Sequence, residues 1–219
     1  MIRTGLLASL LLIALAGALS AYGFAAIPPD AAVAIHWNIQ GEADGFAPRD
    51  VALLLLPALM VSLTLVFVLA ARSEPRSAGL THSRGALLTG WIGAMAVLLL
   101  AHGAVVLSAA GLAQPPLNLI LVAVSILFVL LGNLIAKSRS NYLVGVRTRW
   151  SLSSEDAWVA SNRATGWGFA VTGAVTLALL AFGPQELAVL FFVAGALASG
   201  GIGILISYLV WRRDGSPAR

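Results

Sequence analysis

Three side chains near one end of the chain, His36, Glu42 and Asp44, are of the types that ligate zinc or a similar ion. Their spacing matches no compact ligand motif. The same groups serve equally to satisfy backbone amides of a shaped loop, or to face a ligand. His102 is the one ionisable residue well inside an apolar run, and its options are a functional role or a neutral hydrogen bond to a neighbouring helix. Asn118 and Asn133 lie near the ends of another apolar run, where amides bond to adjacent helices or headgroups. The densest polar chemistry lies between Gly132 and Phe169. It includes Gly132-Asn133, Asn141-Tyr142, the run from Gly145 through Arg147, Thr148, Arg149 and Trp150 to Leu152, then Trp158, Asn162-Arg163 and Gly166-Trp167.

What is missing narrows the classes. The chain has no cysteine, which removes disulfides, thiolate nucleophiles and cysteine metal sites. It contains no Ser-His-Asp grouping, no paired intramembrane aspartates and no His-Glu-x-x-His, so no membrane hydrolase is visible. Acidic and basic residues are absent from the interiors of the apolar runs, which weighs against ion-coupled transport. No cofactor is implied.

These residues are positioned by apolar helices. Hydrophobic residues make up 59% and charged ones 10%, far from the roughly one quarter charged of soluble domains. Runs at Gly5 to Ile27, Val51 to Ala71, Ala86 to Gly111, Leu117 to Ala136, Gly166 to Phe182 and Leu187 to Trp211 each approach the ~20 residues that cross a bilayer. The expected fold is an all-α membrane protein with six transmembrane helices. Every cation except Arg49 falls on one side if the N-terminus is inside, so both termini are expected to be cytoplasmic. The basic residues are spread over four inner segments rather than one stripe, so topology accounts for the pI and no direct nucleic-acid binding is expected. A cleavable signal is the other reading of the first run, but the apolar stretch continues to Ile27, beyond a signal core.

The segment 28–50 reads as a compact outer loop between Pro28-Pro29 and Asp50, with an extended piece at Val33 to Ile35 and turns at Gly41 and Asp44-Gly45. Pro57 falls in the first turns of the second span. A Ser, Pro and Gly-rich stretch after Arg72 suggests two modules, 1–78 with two helices and 79–211 with four, followed by a disordered tail at 212–219. The inner loop 137–166 is long enough to be functional. Ser153 is expected to cap a short helix reaching about Asn162, with span five restarting at Gly166 and with Trp150, Trp158 and Trp167 at headgroup level. Arg147, Arg149 and Arg163 would then anchor on lipid phosphates or receive a cytoplasmic partner. Gly195, Gly200, Gly201 and Gly203 make the last span a packing helix or a homo-oligomer face.

The order Asn141, Gly145-Val146-Arg147-Thr148, Trp150-Ser151-Leu152 and Trp158, after Gly132-Asn133, resembles the SdpI-like family of bacterial integral membrane proteins. That family's pattern is approximately G-N, N-x-x-x-G-I-R-T-P-W-T-L and a downstream Trp. Arg149 stands where the family usually has proline, so the turn geometry is not carried over there. Pro28-Pro29-Asp30, His36, Gly41 and Asp44 resemble the outer segment of the two-helix module associated with that family. Named members protect cells from a secreted peptide toxin, and one kind holds a transcriptional repressor at the membrane. The resemblance therefore implies a non-enzymatic immunity protein with a toxin outside and a repressor inside. Its candidate binding residues are Asn133, Asn141, Gly145, Arg147, Thr148, Arg149, Trp150 and Trp158, with His36, Asp44 and His102. Two other classes remain open: a small-solute transporter with His102 and Asn133 lining a cavity, and a metal-dependent membrane enzyme using His36, Glu42 and Asp44.

Overall fold

The computed structural model describes residues 1–112 and 117–215. Its helices are α1 (Ile2–Ala26), α2 (Arg49–Arg72), α3 (Ser77–His82), α4 (Arg84–Ala109), α5 (Leu117–Ile135), α6 (Arg149–Ser153), α7 (Glu155–Phe182) and α8 (Gln185–Asp214). A two-stranded hairpin, β1 (Ala32–Trp37) and β2 (Ala43–Pro48), lies between α1 and α2. Six of the helices are long and apolar enough to span a bilayer, as the hydropathy runs predict. The all-α expectation is corrected by the hairpin. The tail is also more ordered than expected, because α8 continues to Asp214 through Arg212 and Arg213; residues 216–219 lie outside the described part.

The chain forms two compact units. One comprises Ile2–Val68 and Trp91–Ala123. Its hairpin pairs Val33 with Ala47 and Ala34 with Phe46. Asn38 closes the turn by accepting from the amides of Gln40 (3.0 Å) and Glu42 (2.9 Å), and Gly41 supplies the left-handed φ of 84°. Val33 is buried with Ile27, Ala52, Leu53, Val105 and Val106, so the hairpin is seated on the helix ends. A second cluster of Ala16, Met60, Trp91 and Met95 fills the same unit deeper down. Trp91 stacks on Phe67 at 5.2 Å and donates its indole N–H to Ser9 at 2.8 Å. Gly5 is what admits the ring: a Cβ there would fall within 2.6 Å of it.

Pro57 sits inside α2 and has no amide hydrogen to give the carbonyl of Leu53, one turn back. That buried carbonyl is met instead by the Ser20 hydroxyl at 2.8 Å. Ser20 has one hydrogen, so when it serves Leu53 its oxygen must accept from His102 Nε2, 2.9 Å away. The chain His102, Ser20, Leu53 thus repairs the proline break across three helices, as neighbours do for prolines in spanning helices.

The other unit comprises Met1, Leu69–Gly90 and Val124–Arg219. Here α7 packs along α8 through small residues: Gly168 faces Ser199, Gly195 faces Thr172 and Gly203 faces Thr165. Thr165 also donates to the Ser199 carbonyl at 3.3 Å. At Gly132 and Gly166 the backbones of α5 and α7 touch, with no space for a Cβ on either.

Candidate functional site

The polar stretch after α5 is a loop whose amides are caught one by one by buried side-chain oxygens. Asn141, fully buried, accepts from the amides of Leu143 and Val144, both at 2.8 Å, and donates to the Arg139 carbonyl at 2.7 Å. This Asx-type turn forms because asparagine competes well for backbone partners two or three residues on. Asn162, 1% exposed, reaches out of α7 to accept from the Val146 amide at 2.7 Å, and its NH₂ donates to the Trp158 carbonyl. Gly145 lies between these asparagines at φ 103°, and a Cβ would run into the Asn162 amide oxygen. Only glycine meets both demands.

Thr148 then caps α6. Its hydroxyl accepts from the Ser151 amide at 3.1 Å, while Ser151 Oγ accepts from the Thr148 amide at 3.0 Å, a reciprocal capping box. Thr148 also bonds Ser207 of α8 at 2.9 Å. Arg149 is the first residue of α6, a position whose N–H is an orphan and which proline suits. A proline at this position would cost no helical hydrogen bond. Arg149 lies over the Trp150 ring at 5.4 Å, and Trp150 packs against Tyr208 at 5.0 Å. Arg147 is exposed and donates to the Tyr142 carbonyl at 2.9 Å.

Two expectations for the second half of the loop change. Ser154, rather than Ser153, is the cap of α7, accepting from the Ala157 amide at 3.1 Å, and the helix runs unbroken from Glu155 past Gly166 to Phe182. A polar sequence continued helically because its polar face is turned onto the loop, where Asn162 and Ser161 are buried. Trp158 is likewise buried rather than at the lipid surface, and its indole donates to the Ser138 carbonyl at 2.9 Å. Trp167 is the exposed indole of the set, at 66%.

Glu74 and Arg76 are members of this site that sequence reasoning passed over. The Glu74 carboxylate, 8% exposed, accepts from the amides of Arg76 (2.8 Å) and Tyr142 (3.0 Å). Arg76 bonds Ser140 and the Leu152 carbonyl and lies over the Tyr142 ring. An acid among many cations was the available signal. The segment before α3 is thereby tied to the loop, and Gly79 rests directly on the Ser140 carbonyl. Beside the motif, a hollow of about 360 Å³ is bordered by Gly145, Arg147, Thr148, Phe169, Gly200 and Ile204.

The remaining predicted residues are elsewhere. Asn133 is exposed, accepts from Lys137 Nζ at 2.9 Å and lines a different cavity. His36, Asp44 and His102 belong to the other compact unit. His36 pairs with Asp44 at 2.5 Å on the exposed hairpin, while Glu42 is engaged by Asn38 at 3.0 Å. Among the described residues no three His, Asp or Glu side chains converge as metal ligands. His102 is fully buried and is engaged by Ser20.

Comparison with known proteins places names beside this geometry. Residues 137–209 match the SdpI/YfhL protein family, and residues 10–61 match a domain of unknown function, DUF1648. The chain is 24% identical over 185 residues to the "Immunity protein SdpI" of Bacillus subtilis (strain 168), an alignment covering 83% of this chain and 84% of that protein. No solved structure matches. The SdpI/YfhL match begins at Lys137, where the hydrogen-bonded loop begins, and takes in α6, α7 and most of α8. With its six apolar helices, the chain is a multi-pass bacterial membrane protein that is similar to SdpI-like proteins.

Proposed function

We propose that this protein is an immunity protein that protects the cell carrying it from a secreted peptide toxin, acting by binding and without a catalytic step. The observation that carries the reading is the alignment with an immunity protein over more than four fifths of both chains. An alignment of that length takes in the loop, and the hairpin lies within the separate match at residues 10–61. The hairpin is the part suited to meeting a toxin outside: it is braced by Val33 and turned by Asn38, yet leaves His36, Asp44 and Phe46 exposed.

The loop from Lys137 to Ser154 is suited to a second role, holding a cytoplasmic repressor. Its shape is fixed by Asn141, Asn162 and Thr148, and it offers Arg147, Arg149 and the adjoining hollow as a cationic face. This requires the N-in, C-in orientation that the distribution of arginines favours.

The test is deletion of the gene followed by challenge with peptide toxins secreted by related bacteria. Increased sensitivity to at least one toxin, restored by the intact gene, is expected; unchanged sensitivity to every toxin refutes immunity. Arg147→Gln should leave protection and membrane insertion intact while impairing toxin-dependent expression of a repressor-controlled reporter. Loss of the protein from the membrane would instead make the loop purely structural.

A further inference from the structure

A second cavity, of about 330 Å³, is a furrow between the end of α5 and the first half of α7. Its floor is made by Gly132, Ala136, Gly166 and Ala170. At Gly132 and Gly166 the two backbones touch, so no side chain rises from the floor at the crossing. The rim is cationic and polar: Lys137 from one side, Arg163 from the other, and Asn133 beneath Lys137. No acidic residue lines it.

The donors are underused. Lys137 gives one of its three hydrogens to Asn133 Oδ1 at 2.9 Å, which leaves two, and the Asn133 NH₂ is unspent. The Arg163 guanidinium has no hydrogen bond or ion pair with any described residue, although it is exposed at the mouth of the furrow. Two like charges at one rim without a counter-charge repel each other, and an anion between them removes that repulsion. Phosphate oxygens suit both, a guanidinium by its planar fork and an ammonium as a point charge.

The level along the helices selects the source of that anion. α5 is largely apolar up to Ile135 apart from Asn133 near its end, and Lys137 follows two residues later. α7 carries Glu155, Asp156 and Asn162 before Arg163 and is almost wholly apolar from Gly166 to Phe182. Both helices therefore change from polar to apolar at the furrow. Trp167, 66% exposed, stands at its side, where indoles favour the headgroup region. A furrow with a cationic end and an apolar floor of glycines and alanines matches a phosphate ester joined to a hydrocarbon chain better than it matches a free ion.

We propose that this furrow binds one anionic phospholipid, its phosphate between Lys137 and Arg163 and an acyl chain along Gly132, Gly166 and Ala170. The assignment is independent of the immunity reading. Full-length protein is purified in a neutral detergent, equilibrated with equal amounts of phosphatidylglycerol and phosphatidylcholine, and the retained lipid is counted by native mass spectrometry. One phosphatidylglycerol per chain is expected in preference to phosphatidylcholine. Lys137→Gln and Arg163→Gln should each weaken it roughly fivefold, and together about thirtyfold, since a basic residue near anionic lipid is worth about 1 kcal/mol.

Val159→Trp, at the exposed side of the furrow, should abolish retention with both charges intact. Arg84→Gln with Arg213→Gln removes equal charge elsewhere and should change nothing. Equal retention of the two lipids, or equal loss in the Arg84/Arg213 control, overturns the proposal. So does displacement of the lipid by millimolar inorganic phosphate, which would make this a free-anion site. Helical circular dichroism accompanies each variant, and Val159→Trp keeps the test open should the double charge variant fail to fold.

Discussion

Ser20 offers a direct test of how α2 tolerates its proline. In the native chain Ser20→Ala leaves the buried Leu53 carbonyl without a partner and also strips His102 Nε2 of its acceptor. Replacing Pro57 by alanine returns an amide hydrogen to α2, and that hydrogen reaches Leu53 as the ordinary helical bond. The Ser20 hydroxyl then serves only His102 and the Ala16 carbonyl one turn back in its own helix. Buried unsatisfied groups cost about 1–3 kcal/mol in general, but hydrogen bonds between spanning helices average ~0.6 and reach ~1.7 kcal/mol. Ser20→Ala should therefore destabilise the native background by about 1–2 kcal/mol and the Pro57→Ala background by about half as much. The coupling, roughly 0.5–1 kcal/mol, is within the range of a double-mutant cycle. At about 2–4 °C per kcal/mol for a chain of this size, apparent midpoints in detergent at one fixed scan rate resolve it. If Ser20→Ala is equally damaging with and without the proline, the repair of Leu53 by Ser20 is refuted.

Three further outcomes follow from the loop. Gly145→Ala should lower stability by about 1–3 kcal/mol, because φ 103° is strained for alanine and its Cβ meets Asn162; Gly200→Ala, which has open space around it, should be neutral or stabilising by a few tenths, and thermal midpoints of the two compare them. Arg149→Pro should be tolerated or stabilising by about 0.4–1 kcal/mol, since the first turn of a capped helix needs no amide hydrogen there; a drop of several degrees would refute the assignment of Thr148 as the cap. A reporter enzyme fused after Ser154 should be active only on the cytoplasmic side, and external activity would reverse the charge-based orientation.

The spans were legible because length and apolarity alone define them, so the hydropathy boundaries fall close to α1, α2, α4, α5 and α8. The hairpin was half legible: Val33 to Ile35 and the glycine turns were readable, but strand pairing depends on Asn38 and on burial against Leu53 and Val106. The start of α7 was misread because a helix that is polar toward its own protein looks, in one dimension, like a solvated one. Trp158 shows the same ambiguity, since an indole buried against a carbonyl and one at the lipid surface have the same letter. Asn141 and Gly145 were singled out by resemblance, while what fixes them, the amides of Leu143 and Val144 for Asn141 and the Asn162 side chain pressed against Gly145, carries no signal of its own in the sequence. Glu74 stood out as an acid among cations, but its role was not readable because its partners are two backbone amides, one of them 68 residues distant.

The loop's form is written in amides held by Glu74, Asn141, Asn162, Thr148 and Ser151, whereas its guanidinium groups at 147 and 149 point outward. Contour and charge are thus inherited separately. Exchanging those two guanidinium groups therefore alters the electrostatic lettering of this surface while the scaffold beneath keeps its outline.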